Sequence, residues 1–461
     1  MQSAANESLF GESFRPHLHF TPARNWINDP NGLLFYKGKY HLFYQHNPSG
    51  NLWGNMSWGH SVSTDLFHWE HLPVAIPCTD TEGIFSGSAV ADINNTSGFG
   101  STENPPLVAI YTVHQNDGTH QAQHIAYSLD EGITWTKYQN NPVLDLGMKD
   151  FRDPKVSWDA VNNRWLMVIA KPEEHKIAFF SSSNLKEWEL LSDFGPLAAT
   201  GGVWECPDLF ALRDNNGETQ WILIVSLNPG GITGGSGTQY FIGNWDGKTF
   251  STNQKETLWL DHGRDNYAGV TFNGTHNDER IFLAWMSNWE YANDVPTHIW
   301  RGSMTIPREL AIISTGGTSK LVLKDSQQFK KLSRSPGIGN ALQLPSEIHI
   351  STILKSFAIK FFDDQGKYIE LAFDQVNNSL TLDRSHGWLA QSEEAQQHLP
   401  LLQQPESIQV IIDHGSIEIS AEPHLGRVTS LHLLTGSQLQ YELTNGNPEI
   451  KHETLFTTPQ K

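Results

Sequence analysis

Alternating apolar and polar residues cover most of the chain, and between residues 61 and 253 they recur in one repeating unit. Each unit has an apolar strand, a turn rich in Ser, Asp and Asn, and an aromatic residue near the start of the next strand. Four such units are SVSTDLFHWEHL at 61–72, IAYSLDEGITWTKY at 125–138, IAFFSSSNLKEWELL at 177–191 and YFIGNWDGKTFSTN at 240–253. Alternation with a period of two predicts strands, so each unit predicts a hairpin at the outer edge of a sheet.

The spacing of these units indicates how the sheets are arranged. Their aromatic residues lie 66, 53 and 62 positions apart along the chain: Trp69, Trp135, Trp188 and Phe250. A period of about 50–65 residues built only from strands is typical of a four-stranded propeller blade with long loops. About five periods fit between residues 15 and 315, the last of them around 282–310. The pattern therefore predicts a five-bladed β-propeller over residues 15–315.

The pattern changes after residue 315. A Gly/Ser/Thr loop at 314–320 and the segment DSQQFKKLSRS at 325–335, which predicts a short helix, indicate a linker over residues 316–335. Beyond this linker Trp388 is the only tryptophan, and strands such as FAIKFFD, YIELAFD and IQVIID alternate regularly. Such strands with turns about every 8–12 residues are typical of a β-sandwich, which we expect over residues 336–461. The predicted fold class is therefore all-β, a propeller followed by a C-terminal sandwich.

Composition narrows the possible partners. The chain has 461 residues, including 38 Gly, 23 Pro and 16 Trp, which suits many short strands and turns. Its formal net charge of −19 argues against nucleic acid and against an anionic membrane surface. No run of 18 apolar residues is present, so no membrane-spanning segment is predicted. A neutral small molecule or polymer is the more natural partner, and a homo-oligomer is compatible with the sequence.

Neither the cysteines nor the N-terminus defines the compartment. Cys78 and Cys206 are the only cysteines, and two cannot form a disulfide framework. The N-terminal segment MQSAANESLFGESF is polar and lacks the apolar stretch of a signal peptide. N-glycosylation sequons, such as the one at Asn55, give weak support for secretion. Because a signal can have been removed, we expect a secreted or extracytoplasmic protein, with a cytoplasmic location left open.

Three acidic residues stand in similar surroundings. Asp29 lies in WINDPNG at 26–32, Asp153 in FRDPK at 151–155 and Glu205 in WECPD at 204–208. Pro restricts the backbone beside each acid, and a carboxylate among aromatic rings is costly unless it is paired or has a function. One such motif is explained equally well by a turn cap, but three together indicate a functional site.

The propeller prediction brings these acids together. The innermost strand of each blade lines the central funnel, so acids on three such strands can converge although 124 and 52 residues separate them. Convergent carboxylates are typical of glycoside hydrolysis, in which one is the nucleophile and another the proton donor. Calcium is the rival explanation. However, the sequence has no D-x-[DN]-x-[DN]-G loop and no H-E-x-x-H or C-x-x-C motif, so we expect no metal ligands and no cofactor.

Six motifs in a fixed order carry a resemblance to a known family. WINDPNG is followed by FYQHNP at 43–48, WGNMSWGH at 53–60, FSGS at 85–88, RDP at 152–154 and ECPD at 205–208. In this order they resemble glycoside hydrolase family 32, the invertases, inulinases and levanases, and the resemblance extends along nearly the whole chain. Ile27 is a small departure, since many members have Met there. The resemblance implies a five-bladed propeller, a sandwich and hydrolysis of fructosides with retention of configuration.

The resemblance also implies roles for individual residues. Asp29 would be the nucleophile, Glu205 the acid/base and Asp153 the stabiliser of the transition state. Arg152 would orient Asp153 and bind substrate hydroxyls. The other substrate-binding residues implied by the family are Asn28, Gln45, Trp53, Phe85 and Ser86 around the fructose, with Trp26 and Trp289 as aromatic walls.

Motifs further along the chain bear on the substrate. SLNPGG at 226–231 and SNWEYANDVPTHIWRGSMTIPREL at 287–310 resemble exo-acting fructanases. They imply an exo-β-fructosidase that releases terminal non-reducing β-D-fructofuranosyl residues from fructans and sucrose. A sucrose-specific invertase with little fructan activity is the alternative within the family. A non-catalytic fructan-binding propeller is the alternative from another class of protein.

Overall fold

The structure, a computed structural model, describes residue 12 and residues 14–275, 279–388, 395–424 and 426–456. The predicted propeller and sandwich ranges therefore contain some residues outside the described part, among them 276–278, 389–394 and 457–461. Nearly all the regular structure of the described part is strand. Three short helical segments accompany the strands: Pro172–Glu174, Ala292–Asp294 and Gln327–Lys330.

The first three sheets are built from strands that pair with their neighbours in sequence. The first contains β1 (Asn25–Tyr36), β2 (Lys39–Asn47), β3 (Ser57–Ser63) and β4 (Trp69–Ile76). The second contains β5 (Glu82–Ala91), β6 (Leu107–Gln115), β7 (Gln121–Ser128) and β8 (Thr136–Lys137). The third contains β9 (Arg152–Asp159), β10 (Arg164–Lys171), β11 (Lys176–Ser182) and β12 (Glu189–Phe194). All pairings among these twelve strands are antiparallel, as tight connections between successive strands require.

Two further sheets complete the first part of the chain. The fourth contains β13 (Val203–Arg213), β14 (Thr219–Asn228), β15 (Gly237–Trp245), β16 (Phe250–Ser251) and β17 (Leu258–Trp259). Five strands follow in sequence: β18 (Tyr267–Thr271), β19 (Ile281–Trp285), β20 (Trp300–Arg301), β21 (Arg308–Thr315) and β22 (Thr318–Asp325). The fifth sheet has the order β18-β19-β21-β22, whereas β20 pairs in parallel with β1 of the first sheet.

The five sheets close into a ring. The first strand of each sheet contacts the first strand of the next, and β18 contacts β1. Apolar side chains fill the spaces between neighbouring sheets, for example Val90 with Met167 between the second and third and Phe179 with Leu223 between the third and fourth. The predicted propeller is confirmed, with the first strands of the sheets innermost around its axis.

The repeating unit of the sequence forms the outermost hairpin of the sheets. Trp69, Trp135 and Trp188 lie at the start of the fourth strand of the first three sheets, and the indole N–H of each donates to a carbonyl three residues earlier. The preceding turn is closed by a serine hydroxyl that donates to an Asp or Asn two residues on, as Ser63 does to Asp65. The repeat was recognisable because this turn depends on local hydrogen bonds.

The passage from propeller to sandwich differs from the predicted linker at 316–335. Strand β22 pairs with β21 along its whole length, so residues 318–325 belong to the fifth sheet. The chain then passes through the helix Gln327–Lys330, whose N-cap Ser326 accepts a hydrogen bond from the backbone N–H of Phe329. The first sandwich strand begins at Ser333. The connection is short because the Gly316–Gly317 turn returns the chain into the same sheet.

The C-terminal part is a sandwich of two six-stranded sheets. In sequence order its strands are β23 (Ser333–Pro336), β24 (Ala341–Gln343), β25 (Ser346–Ser351), β26 (Phe357–Phe362), β27 (Tyr368–Asp374), β28 (Ser379–Asp383), β29 (Gln396–Pro400), β30 (Ser407–Asp413), β31 (Ser416–Glu422), β32 (Gly426–Leu431), β33 (Gln438–Asn445) and β34 (Glu449–Phe456). One sheet has the order β23-β34-β25-β30-β31-β32 and the other β24-β33-β26-β27-β28-β29. Alternate apolar residues such as Phe357, Ile359 and Phe361 point into the shared core, which confirms the predicted sandwich.

Buried polar contacts join the sandwich to the propeller. Glu418 of β31 accepts hydrogen bonds from Arg308 of β21, and Asp413 of β30 accepts the backbone N–H groups of His17 and Leu18 ahead of β1. The two parts therefore pack as one unit around charged side chains. Of the helices in the described residues, none has the length and apolar character needed to cross a membrane.

Candidate active site

Each of the five innermost strands carries a β-bulge, at which two residues oppose one residue of the neighbouring strand. The bulges fall on five tripeptides: NDP at 28–30, FSG at 85–87, RDP at 152–154, ECP at 205–207 and YAG at 267–269. Each tripeptide ends in Pro or Gly, because a broken ladder tolerates a missing N–H or a missing side chain. The repeated bulge turns side chains from five separate strands towards one place on the axis.

The two glycines of these tripeptides are required by close approach. A Cβ on Gly87 would lie 2.1 Å from the carbonyl oxygen of Ile110, and a Cβ on Gly269 would lie 2.1 Å from the ring of Phe282. In three of the tripeptides the middle residue has a positive φ: 67° at Asp153, 48° at Cys206 and 55° at Ala268. Non-glycine residues in this region cost energy, and such strain concentrates at functional sites.

The tripeptides form two tiers of side chains. The outer tier, which consists of the first residues, lines a cavity of about 410 Å³ and contains Asn28, Phe85, Arg152, Glu205 and Tyr267. The inner tier consists of the middle residues Asp29, Ser86, Asp153, Cys206 and Ala268. Four members of the inner tier contact one another, since the Cys206 thiol lies 3.6 Å from Asp29 Oδ2 and 3.5 Å from Asp153 Oδ2, and the Ser86 hydroxyl donates to Asp29 at 2.6 Å. The three predicted acids thus line one pocket, with Asp29 and Asp153 in the inner tier and Glu205 in the outer tier.

Asp29 is held by neutral donors. Its Oδ1 accepts from the Asn28 amide at 3.0 Å and its Oδ2 accepts from Ser86. Burial raises the pKa of Asp29 and the charge of Glu205 adds to the rise, whereas the hydrogen bonds from Ser86 and Asn28 oppose it. These donors also leave the carboxylate in one fixed orientation.

Asp153 is the most strongly perturbed of the three acids. Burial, with the charge of Glu205 added, raises the pKa of Asp153 to about 7, and the positive charge of Arg152 only partly opposes the rise. Its Oδ2 accepts the backbone N–H of Cys206 at 2.9 Å.

Glu205 has a donor on each of its oxygens. The Nε of Arg152 donates to Oε1 at 2.9 Å, and the Tyr267 hydroxyl donates to Oε2. Arg152 also donates to Asp150 at 2.8 Å and to Gln121 at 3.3 Å. The prediction that Arg152 orients Asp153 is corrected on this point: among the described residues the hydrogen bonds of Arg152 go to Glu205, Asp150 and Gln121, and its interaction with Asp153 is one of charge.

The pocket wall contains most of the predicted substrate-binding residues. Asn28, Gln45, Phe85, Ser86, Arg152 and Trp289 line it, and Trp53 stands at its mouth with 47% of its surface exposed. The Gln45 amide is held by the carbonyl of Ile84 at 2.9 Å, and the Phe85 ring stacks on His114. These contacts give the wall a defined shape.

Trp26 does not line the pocket, contrary to its predicted place as an aromatic wall. It is fully buried, stacks behind Trp289 with 5.9 Å between ring centroids, and its indole N–H donates to Asn28 Oδ1 at 2.8 Å. Trp285 and Trp289 pack against the Trp26 ring, which separates it from the pocket. Its role is therefore to support Trp289 and to orient the Asn28 amide towards Asp29.

Sequence reasoning missed six residues that line the same pocket: His114, Gln121, Asp150, Val203, Asn228 and Tyr267. A signal was present for Tyr267, because YAG at 267–269 stands 62 residues after ECP, close to the spacing of the other tripeptides. For the remaining five no comparable pattern exists, since they lie at the ends of strands or in a loop, and their positions depend on the folded ring.

A larger cavity of about 640 Å³ opens at the opposite end of the innermost strands. Its acids are paired, since Asp208 lies 3.5 Å from the Lys155 ammonium and Asp159 lies 3.3 Å from the Arg164 guanidinium. Acids that each have a cation of their own are typical of structural ion pairs. The smaller cavity, in which Asp150, Asp153 and Glu205 all interact with Arg152 and Asp29 is held by neutral donors, is therefore the candidate active site.

One grouping of potential metal ligands exists among the described residues, and it lies in the sandwich away from the pocket. Glu347, His349 and Glu453 have ligand atoms within 4.8 Å of one another. Arg334, however, already occupies this grouping, with its Nε 2.8 Å from Glu347 and 3.9 Å from Glu453. The carboxylates of the candidate site suit attack on an acetal carbon and proton transfer to its oxygen.

Known proteins provide an independent comparison. The family model described as "Glycosyl hydrolases family 32 N-terminal domain" matches residues 19–325, and the model "Glycosyl hydrolases family 32 C terminal" matches residues 313–422. A levanase from Bacillus subtilis is 40% identical over 99% of this chain and 72% of its own length. An invertase from Debaryomyces hansenii is 47% identical over 65% of this chain and 57% of its own length.

Solved structures resemble the whole chain. The crystal structure of an exo-inulinase from Aspergillus awamori has a TM-score of 0.88 and 34% identity, and covers 98% of this chain and 99% of its own. A variant fructofuranosidase from Schwanniomyces occidentalis, complexed with fructosylnystose, has a TM-score of 0.86 and 31% identity over 97% of this chain and 98% of its own.

Proposed function

Because the chain belongs to glycosyl hydrolase family 32, we propose that it is a retaining exo-acting β-fructosidase that releases terminal non-reducing β-D-fructofuranosyl residues from fructans and sucrose. The observation that supports the proposal is that Asp29, Asp153 and Glu205 line one pocket. The names of the relatives support the substrate class, since they include levanase, exo-inulinase and invertase.

The reaction follows from the two environments of Asp29 and Glu205. Asp29, oriented by Asn28 and Ser86, attacks the anomeric carbon while Glu205 passes a proton to the departing glycosidic oxygen. A fructosyl ester on Asp29 and a free alcohol result. Water then attacks the same carbon, gives its proton to Glu205 and releases fructose from Asp29. Two inversions at one carbon retain its configuration.

Asp153 completes this chemistry without exchanging a proton with the substrate. Positive charge develops on the fructosyl ring in the transition state, and a carboxylate beside the ring stabilises it. Asn28, Gln45, Trp53, Phe85, Ser86 and Arg152 would bind the fructosyl group directly, with Trp289 as an aromatic wall and Trp26 behind it. All of these residues lie in the propeller, so we infer that the propeller carries the catalysis and that the sandwich supports it.

The shape of the pocket favours attack at the end of a chain. The inner tier closes the floor, so a substrate enters from one side only and the bond cleaved lies next to the terminal residue. Sucrose presents the same terminal fructosyl group, which is why one site serves both substrates. The sucrose-specific invertase remains the alternative, and the 47% identity to an invertase favours it over the non-catalytic sugar-binding propeller.

A time course of products on sucrose, inulin and levan tests the proposal. Fructose is expected as the sole early product from both polymers, with little early decrease in polymer size, and its initially released anomer is expected to be β by NMR. Early oligosaccharides would indicate endo attack, and cleavage of sucrose alone would favour the invertase. A parallel preparation of Asp29→Asn controls for contaminating enzymes.

Relatives named as extracellular exo-inulinases also bear on location. They support the proposal that this protein acts outside the cytoplasm, where polymeric fructans are accessible. Fractionation of expressing cells, with activity on inulin measured in the medium, the extracytoplasmic fraction and the cytoplasm, tests this proposal. Activity confined to the cytoplasmic fraction would contradict it.

A further inference from the structure

The two oxygens of Glu205 have chemically different partners. Oε1 accepts from the guanidinium of Arg152, and Oε2 accepts from the hydroxyl of Tyr267. Arg152 is itself held on its other side by Asp150 and Gln121, so its position does not depend on Glu205 alone. Tyr267 is equally constrained, because β18 carries it at the bulge of the fifth sheet and its ring is fully buried.

The difference decides where a proton on Glu205 can reside. A guanidinium only donates hydrogen bonds, so a proton on Oε1 would face a donor and break the contact with Arg152. A tyrosine hydroxyl both donates and accepts. A proton on Oε2 can therefore be accommodated by rotation of the Tyr267 hydroxyl, with no movement of either side chain.

We propose that Tyr267 is the positioning residue that holds Glu205 in both of its protonation states, with the transferable proton carried on Oε2. The proposal rests on the acid/base role of Glu205 in the proposed function. In the first step the proton leaves Oε2 for the glycosidic oxygen as the bond to the leaving group breaks and the bond to Asp29 forms. Tyr267 then turns from acceptor to donor. In the second step the proton of the attacking water returns to Oε2, and Tyr267 turns back.

Several other charged or titratable groups face Glu205, and the proposal requires none of them to move. Asp29 comes from β1, His114 from β6, Arg152 and Asp153 from β9, Asp150 from the turn before β9 and Cys206 from the same strand as Glu205. Tyr267 is set apart from them because it is neutral in both states and contacts Glu205 directly. The pKa of Tyr267 lies well above its usual value through burial and the charge of Glu205, so the hydroxyl keeps its own proton throughout.

Tyr267→Phe removes the donor to ionised Glu205 and leaves the ring in place. The protonated form of Glu205 is then favoured, so the basic limb of kcat/KM on sucrose should move about one pH unit upward. We expect kcat to fall about tenfold, because the ionised carboxylate that activates water has lost its partner. If Tyr267 served only in packing, the substitution would lower the yield of folded protein but would not shift the basic limb of the pH profile of kcat/KM.

Tyr111→Phe is the matched control. Tyr111 is fully buried on β6, and its hydroxyl has no hydrogen-bond partner among the described residues. Loss of this hydroxyl should leave the pH profile and kcat unchanged. An upward shift of the limb in Tyr111→Phe as large as that in Tyr267→Phe would overturn the assignment to Tyr267.

A second substitution gives a shift of opposite sign and covers the case in which Tyr267→Phe does not fold. Tyr267→3-fluorotyrosine keeps the hydroxyl and makes it a stronger donor, so the basic limb should move to lower pH. An unchanged limb in either Tyr267 variant, when that variant is folded, overturns the proposal. The failure of the proposed function is distinguishable, because it requires that the wild-type enzyme itself release no fructose from sucrose, inulin or levan.

Discussion

The pocket and the junction between propeller and sandwich both bury acids, but they treat them in opposite ways. In the pocket, Asp153 and Glu205 interact with the cation Arg152, which also pairs with Asp150, whereas Asp29 is held by the neutral donors Asn28 and Ser86. At the junction, Glu418 accepts from Arg308 at 2.8 Å and from Arg427 at 3.0 Å, and its other oxygen faces His19. Asp153, Asp413 and Glu418 are buried, whereas Asp29 and Glu205 are partly exposed in the pocket, and the partners of the two sets differ.

The pKa values follow the partners. Burial raises the pKa of Asp29 and takes that of Asp153 to about 7. At the junction, burial is outweighed by hydrogen bonds and cations, so the pKa values of Asp413 and Glu418 lie well below their usual range. Burial therefore does not by itself decide whether an acid is charged. An excess of cations stabilises the junction, whereas a shortage of cations leaves the pocket poised for proton transfer.

Removal of the nucleophile should have the largest effect. Asp29→Asn keeps the shape of the side chain and its place on the bulge, so substrate binding should persist while kcat on sucrose falls by about 10⁴-fold or more. Asp92→Asn is the matched control, because Asp92 is also buried but serves a turn by accepting from Thr96 and Ser97. Retention of near wild-type turnover in Asp29→Asn would exclude it as the nucleophile.

At the junction, the loss of an acid should affect stability and leave catalysis intact. Glu418→Gln leaves Arg308 and Arg427 buried side by side without their shared counter-charge, so we expect the free energy of unfolding to fall by about 3–5 kcal/mol. Urea denaturation measures this loss, and kcat per folded molecule should be unchanged. The exposed Glu442→Gln is the control and should cost less than about 0.5 kcal/mol. Equal effects of both substitutions would remove the distinction between pocket and junction.

The ion pairs of His19 should make the junction sensitive to alkali. Hydrogen bonds and charges of Asp413 and Glu418 outweigh burial and raise the pKa of His19 to about 9. The folded-state pKa lies above the unfolded value of about 6.5, so the stabilisation is complete below pH 6.5 and is lost as pH rises through about 9. We expect about 2–3 kcal/mol less stability at pH 10 than at pH 6 from this group. His19→Gln should remove that part of the pH dependence of unfolding, and an unchanged slope would contradict the assignment.

In the pocket, the loss of an acid should increase stability. The folded-state pKa of Asp153, about 7, lies above the unfolded value of about 3.9, so its contribution to stability falls as pH rises from about 4 through 7. Asp153→Asn should therefore raise the free energy of unfolding by about 1–2 kcal/mol at pH 8 and change it little at pH 4, while activity is lost. An equal gain at both pH values would show that the charge of Asp153 is not the cause.

The propeller could be predicted from the sequence because each blade is built from strands that are neighbours along the chain. The turn at Ser63, Asp65 and Trp69 is closed by hydrogen bonds within seven residues. Its repeats could therefore be recognised in the sequence, and they predicted the sheets. The sandwich could be predicted for a similar reason, because apolar and polar residues alternate along strands such as Phe357–Phe362. Asp29, Asp153 and Glu205 were identifiable because the tripeptide at the bulge that carries each of them ends in Pro, which a broken ladder tolerates.

Tertiary structure alone decided the features that depend on ring closure. Tyr267 donates a hydrogen bond to Glu205 although the two residues lie 62 positions apart in the sequence. Trp26 supports the pocket wall from behind because Trp289, from the last blade, stacks on it. The ionisation of the acids depends on the same closure. In the pocket, Arg152 of β9 reaches Glu205 of β13 across two neighbouring sheets, and at the junction Arg308 and Arg427 meet at Glu418. Local sequence determines which residues turn towards the axis, but their partners, and therefore their pKa values, are determined by which strands the ring brings side by side.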